Sequence, residues 1–257
     1  MLFERIVCGV DRSPESLEAA RQAERLLAPG GHLLIVGAAD VGIAVHAGWA
    51  ATSVVDEIEA EERRAVVEAR AQVIDGGRVE TRMLKGDPIS CLLATAREEK
   101  STLVAVGTHG LGRAKGILLG SVATAMLHDA PGSVLVARRP QDPEIFPRSI
   151  LVGHDGSSQA RAAAEVGAEL AHRFGAGVRT VVASGGKPVD VDGLRDVQGL
   201  EWDERKPVEA LVAASREADV AIVGSRGLHG LAALGSVSER VAHEAARSVL
   251  VVRKGRR

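Results

Sequence analysis

The stretch from Val104 to Leu127, VAVGTHGLGRAKGILLGSVATAML, decides the architecture. Val104, Ala105 and Val106 have the apolar character of a buried strand, Gly107-x-x-Gly110 opens a loop, and nine residues later Gly120-Ser121 leads into a segment of helical spacing. A strand, a glycine loop and a helix in that order let a backbone cradle phosphate. The first turn of a helix has N–H groups without intrahelical partners and lies at the positive end of the macrodipole. Glycines permit positive φ and close approach to a ligand. Taken alone, the pair Gly107 and Gly110 serves equally well as an ordinary turn between strand and helix.

A second copy of the surrounding chain favours the first reading. ILVGHDGSSQA (150–160) repeats IVCGVDRSPES (6–16), and ADVAIVGSRG (218–227) repeats STLVAVGTHG (101–110). LGSVSERVAHEAARSVLVVR (234–253) likewise repeats LGSVATAMLHDAPGSVLVAR (119–138). A period above one hundred residues means two domains rather than a solenoid. The first is expected over residues 1–139 and the second over 149–257, joined by a proline-punctuated linker, 140–148, that begins at Pro140-Gln141-Asp142-Pro143.

Working outward through the first copy, Arg5 to Asp11 reads as a buried strand, and Ser13-Pro14-Glu15 supplies an N-cap, a proline at the first helical position and an early acid. Leu17, Ala20, Ala23 and Leu27 keep helical spacing until Pro29-Gly30-Gly31, after which His32 to Ala38 is a second strand. A charged helix follows from about Val54 to Asp75, with Ile58, Val66, Ala69 and Val73 as its apolar stripe and its charges read as a solvated face. Then come a strand (Arg78 to Lys85), a helix (Pro88 to Lys100), a strand (Thr102 to Gly107), a helix (Ser121 to about His128) and a closing strand (Ser133 to Ala137). Strands alternating with helices give a parallel sheet covered on both faces.

The second copy is shorter. The offset between copies falls from 144 at Asp11/Asp155 to 119 at Pro88/Pro207, so 25 residues are missing and the long second helix is lost. Ser184 to Gly199 takes its place, and Leu200 and Trp202 are the remnant of the third strand. Its glycine loop also has seven residues between Gly227 and Gly235, against nine between Gly110 and Gly120, and no Lys or Arg among them.

Composition narrows the function. The 257 residues are 46% apolar and 26% charged, a globular mixture, and the net charge of −2 gives no footprint for a polyanion. With no Tyr and only Phe3, Phe146, Phe174, Trp49 and Trp202, base-stacking platforms are scarce, so nucleic-acid binding is disfavoured. No apolar run reaches membrane-spanning length, and Glu4 and Arg5 interrupt any secretory core, so a soluble, cytoplasmic protein is expected. Cys8 and Cys91 form no spaced metal set and are read as reduced packing residues.

An Asp ending the first strand, G-x-x-G then nine residues then G-[ST] after the fourth, and a closing VLVxR strand together resemble the universal stress protein family, over essentially the whole chain as a tandem pair. The resemblance implies two tandem Rossmann-like α/β domains of the adenine nucleotide hydrolase-like kind. Each would be a five-stranded parallel sheet of order 3-2-1-4-5 with helices on both faces, the second truncated. It further implies adenine nucleotide (ATP, ADP or AMP, with or without Mg²⁺) at the point where the sheet order reverses, as the general rule for such sheets requires. By that likeness Asp11 meets the adenine side, Ala38 lines the base pocket, Gly107 and Gly110 approach ribose and phosphates, and Gly120, Ser121 and Val122 bind phosphate oxygens. Arg113 and Lys115 either oppose the outer phosphates or are solvated loop charges, and Asp11 has a competing use in an Asp-x-Ser turn. The second copy retains Asp155, Gly224, Gly227, Gly235 and Ser236, but its short loop marks it chiefly as a packing partner. The two closing strands would otherwise be exposed edges and are expected to pair within the chain; a homodimer is left open.

Three functions compete: a nucleotide-responsive regulatory or scaffold protein whose surface an unknown partner protein reads, a slow ATPase or phosphotransferase on the same pocket, and a nucleotide-free dimerisation module. The chain has no G-x-x-x-x-G-K-[ST], and no nucleophile set assembles from spacing. Binding outweighs catalysis, and no catalytic residue or metal ligand is assigned.

Overall fold

A computed structural model describes residues 3–40, 52–73, 78–110, 119–142, 144–186, 194, 197, 199–225 and 235–253. Backbone contacts divide the chain into two compact units, Phe3–Pro131 and one running from Gly132 to Arg257.

The first unit comprises β1 (Phe3–Gly9), α1 (Pro14–Leu26), β2 (Leu27–Ala39), α2 (Thr52–Gln72), β3 (Arg78–Lys85), α3 (Pro88–Glu98), β4 (Leu103–Gly107) and α4 (Ser121–Asp129). Its strands are parallel in the order β3-β2-β1-β4. Ile6, Leu33, Ile35, Leu103 and Val104 are each at most 1% exposed, because helices cover both faces: α1 packs with α2, and α3 with α4. Local chemistry sets where the chain turns from strand into helix. Ser13 Oγ accepts the Ser16 N–H at 3.1 Å and Asp87 Oδ2 accepts the Ser90 N–H at 2.8 Å, each with proline as the first helical residue.

The second strand begins earlier than the sequence suggests. Leu27 is already extended and pairs with Phe3, so Pro29-Gly30-Gly31 lies inside β2 as an irregularity, with the pairing shifting between Phe3 and Arg5. Gly30 takes φ +75°, and a Cβ on Gly31 would stand 2.9 Å from the carbonyl oxygens of both Ala28 and Glu4. Glycine is required there for backbone to pass backbone.

The second unit comprises β5 (Ser133–Ala137), β6 (Ser149–Gly153), α5 (Ser158–Phe174), β7 (Gly177–Ala183), β8 (Leu200–Asp203), α6 (Pro207–Ala214), β9 (Val220–Gly224), α7 (Ser236–Glu244) and β10 (Ser248–Val252). Its own five strands run parallel in the order β8-β7-β6-β9-β10, which is 3-2-1-4-5 counted within the repeat. Trp202 pairs with Val182, so the four-residue β8 is the shortened third strand. No α-helix occurs among the described residues between β7 and β8.

β5, the closing strand of the first repeat, pairs antiparallel with β10, Val134 opposite Val251 and Val136 opposite Val249. This covers the edge of β10, and it is why the division of the chain by contacts falls at Pro131/Gly132, ahead of the linker read from the sequence. The pairing is reinforced by Arg138, whose half-buried guanidinium donates to the carbonyl oxygens of Ala242 (2.6 Å), His243 (3.3 Å) and Arg247 (3.3 Å) at the C-terminal end of α7 and just beyond it. A cation there satisfies the terminal carbonyls and opposes the helix dipole. Asp219, 2% exposed, then ties down both ends of the linker, accepting from the backbone N–H groups of Gln141 (3.3 Å), Arg148 (2.8 Å) and Ser149 (3.0 Å).

Candidate functional site

The first unit has a cavity of about 530 Å³ at the carboxyl ends of β1 and β4, where the strand order reverses. β1 and the turn after it contribute Gly9, Val10 and Asp11, and β2 with the residue after it contributes Val36, Ala38 and Asp40. α2 supplies Ile58 and Glu62, the start of α3 supplies Asp87, Pro88 and Leu92, and β4 with its loop supplies Val106, Gly107, His109 and Gly110. Ser121 and Val122, the first turn of α4, close it. Of the residues singled out from the first repeat, Asp11, Ala38, Gly107, Gly110, Ser121 and Val122 are thus brought together. Gly120 stands beside them as the N-cap of α4, its N–H donating to Thr108 O at 2.7 Å. Arg113 and Lys115 lie outside the described residues.

Three features of this arrangement have chemical consequences. No side chain caps α4 and no acid occupies its first turn, so its leading N–H groups are left to whatever enters the cavity. Asp11 serves its local turn with Oδ1, which accepts from Ser13 N–H (3.2 Å) and Ser13 Oγ–H (2.7 Å), while Oδ2 lies where a Cβ on Gly110 would stand. Both uses foreseen for Asp11 are therefore compatible, and Gly110 leaves its carboxylate room. Gly107 also has a packing duty: a Cβ there would be 2.7 Å from Glu15 C and Ser16 N, the first turn of α1.

Reading the charges of the second helix as a solvated face missed Glu62. It lies one turn after Ile58 and one turn before Val66, inside the apolar stripe of α2, and that spacing was the available signal. Its Oε2 is buried with no hydrogen-bond partner among the described residues. Burial, with the charges of Asp11 and Glu61 adding to it, pushes the Glu62 carboxyl up to about 7. Asp87 behaves oppositely: it is exposed, and Ser90, through side chain and amide, holds its carboxyl below the usual range.

The second unit has a cavity at the equivalent place, lined by Gly153, His154, Asp155, Val181, Ala183, Pro207, Leu211, Val223, Gly224, Gly235 and Ser236 among others, of about 150 Å³. Asp155, Gly224, Gly235 and Ser236 are gathered as the repeat predicts, and Gly227 lies outside the described residues. Strand register makes Val36 equivalent to Val181 and Ala38 to Ala183, because Gly9 pairs with Val36 and Gly153 with Val181. The contents differ at two points. His154 replaces Val10 and is 4% exposed, its Nδ1 accepting the Gly156 N–H at 3.0 Å, and burial lowers its pKa. The wall that α2 gives the first cavity has no counterpart among the described residues.

The profile of the universal stress protein family matches residues 2–138 and 187–253, most of the chain. The chain belongs to the universal stress protein family. A universal stress protein of Mycolicibacterium smegmatis is 28% identical over 290 aligned positions, covering 96% of each chain. One from Methanocaldococcus jannaschii is 30% identical over 145 positions, 54% of this chain and 85% of its own. Among solved structures, a universal stress protein from Archaeoglobus fulgidus superimposes with a TM-score of 0.71 at 23% identity, covering 98% of this chain and 96% of its own, a likeness of fold over both repeats. Among the described residues no helix is long and apolar enough to cross a membrane.

Proposed function

We propose that the first unit of this universal stress protein binds an adenine nucleotide, ATP, ADP or AMP, and that the bound nucleotide acts as a regulatory signal in the stress response, read by a partner protein. The observation that carries the reading is the 530 Å³ cavity opening onto the uncapped start of α4. That volume lies within the range of small-molecule sites. On this reading the base lies against Ala38 on the Asp11 side, the ribose passes Gly107 and Gly110, and the phosphates lie beside Gly120, whose own N–H goes to Thr108 O, with their oxygens held by the N–H groups of Ser121 and Val122 and with Arg113 adding charge. Charge-assisted hydrogen bonds contribute roughly 1.5 to 3 kcal/mol each, so three or four of them with purine burial reach the roughly 8 kcal/mol of micromolar binding. Mg²⁺, where present, travels with the phosphates, since among the described residues no group of three His, Cys, Asp or Glu side chains could hold a metal.

The second unit serves as a structural partner. Its 150 Å³ cavity is the size that admits a benzene-like molecule, well short of a nucleotide. The repeats are read as 1–139 and 149–257, linked through 140–148, with the closing strand of the first, β5, carried by the second unit. Catalysis is not required by this reading.

Titration of ATP, ADP and AMP against the intact protein and Gly120→Val tests the assignment. A Cβ at position 120 already meets Thr108 O at 3.2 Å, and the branched side chain intrudes where phosphate is expected. Affinity is expected to fall about 100-fold or more, on the order of 3 kcal/mol; equal affinities would defeat the site. Phosphate release within the ordinary enzymatic range of about 1 to 10³ per second would move the protein to the ATPase reading.

A further inference from the structure

Glu62 has no role in the phosphate cradle, yet its position relative to the base pocket is specific. Its own carbonyl oxygen stands 3.4 Å from where a Cβ on Gly37 would be, so this turn of α2 rests on β2 beside Ala38, where the base is placed above. Ile58, one turn earlier, lines the same cavity. The buried Oε2 has no hydrogen-bond partner among the described residues, and an unsatisfied carboxyl oxygen in such a place gains from a polar ligand edge.

We propose that Glu62 reads the hydrogen-bonding edge of the bound purine and sets the balance between a 6-aminopurine and a 2-amino-6-oxopurine. The inference rests on the nucleotide reading above. The Watson–Crick edge of adenine offers one donor, the amino group, and one acceptor, N1; that of guanine offers the O6 acceptor beside two adjacent donors, at N1 and N2. A neutral carboxyl has one donor and one acceptor and pairs with adenine's amino group and N1 or equally with guanine's O6 and N1–H, whereas a carboxylate has only acceptors, pairs with guanine's N1–H and N2–H, and opposes adenine's N1. Discrimination of this kind is strong because the wrong base leaves buried polar groups unpaired.

The surroundings of Glu62 favour its neutral form. Asp11 at the end of β1 and Glu61 on α2 add negative potential, and Asp40 after β2 and Asp87 at the head of α3 line the same cavity with His109 from the loop after β4. No Lys or Arg among the described residues lines it. With its pKa raised to about 7, chiefly by burial, Glu62 is protonated at pH 6 and ionised at pH 8. Adenine is therefore accepted below about 7 and disfavoured against guanine as pH rises through it.

The test is the ratio of ATP to GTP affinity at pH 6 and pH 8, for the intact protein and for Glu62→Gln. The shared triphosphate titrates alike in both ligands and cancels from the ratio. In the intact protein the ratio is expected to fall about tenfold from pH 6 to pH 8, the worth of one exchanged hydrogen bond. Glutamine has a permanent donor and acceptor, so in Glu62→Gln the ratio is expected to stay at the pH 6 value throughout. A ratio that ignores pH in the intact protein, or that moves equally in Glu62→Gln, overturns the assignment while leaving nucleotide binding in place. Absence of binding by either nucleotide at both pH values removes the nucleotide reading and this inference with it.

Discussion

Asp219→Ala is expected to lower stability by roughly 3 to 5 kcal/mol, read as a fall in Tm of roughly 10 °C. The carboxylate is buried and accepts from three backbone N–H groups, those of Gln141, Arg148 and Ser149, and also from Ser149 Oγ–H at 3.2 Å. Alanine removes the acceptor and leaves the donors behind, the costly direction for a buried hydrogen bond. The equivalent position in the first repeat is Thr102, which makes a simpler tie, its Oγ–H donating to Arg5 O at 3.0 Å and its Oγ1 accepting the Arg5 N–H at 3.3 Å. The larger acceptor at 219 matches the extra duty of holding a linker. Asp219→Asn keeps one oxygen, so it should recover about half of the loss. Calorimetry of the three proteins checks this, and an unchanged Tm in Asp219→Ala would show that the linker is not anchored there.

The second large effect concerns the first glycine of each repeated loop. Gly107→Ala and Gly224→Ala are each expected to cost about 3 kcal/mol or more, because the added carbon meets backbone that cannot give way. At 107 it would be 2.7 Å from Glu15 C and Ser16 N; at 224 it would be 2.5 Å from Gln159 C and 2.8 Å from Ala160 N. Gly177→Ala is the matched control, with nothing within 4 Å of the added Cβ, and should shift stability by no more than about 0.5 kcal/mol. Gly224→Ala isolates the packing cost, since it lies outside the proposed nucleotide site. Should both variants melt like Gly177→Ala, the close passage of strand end and helix start is not rigid, and those glycines are retained for ligand approach alone.

These glycines show how far local sequence reaches. That the chain must turn sharply after β4 and β9 follows from the residue type, but the object that comes close does not. In each repeat it is the first turn of a helix some ninety or sixty-five positions away, Glu15 for Gly107 and Gln159 for Gly224. Helix starts were legible for the opposite reason: Ser13-Pro14 and Asp87-Pro88 satisfy backbone groups within three residues, so the chemistry is complete in the local string. The start of β2 was misjudged because Pro29-Gly30-Gly31 reads as a break, and only pairing with Phe3 and the tight passage past Glu4 turn it into an irregular strand.

By itself the sequence determined the duplicated α/β plan, the absence from the later copy of twenty-five residues between its second strand and third helix, and a glycine-framed helix start in each half. Periodicity, capping and repetition are written along the chain. Tertiary structure alone decided the sizes of the two cavities and the place of Glu62 in the wall of the larger one. Volume and buried charge depend on what neighbouring elements bring to a point, and one turn of α2 lying over Gly37 makes a charged residue of an outwardly polar helix part of an interior.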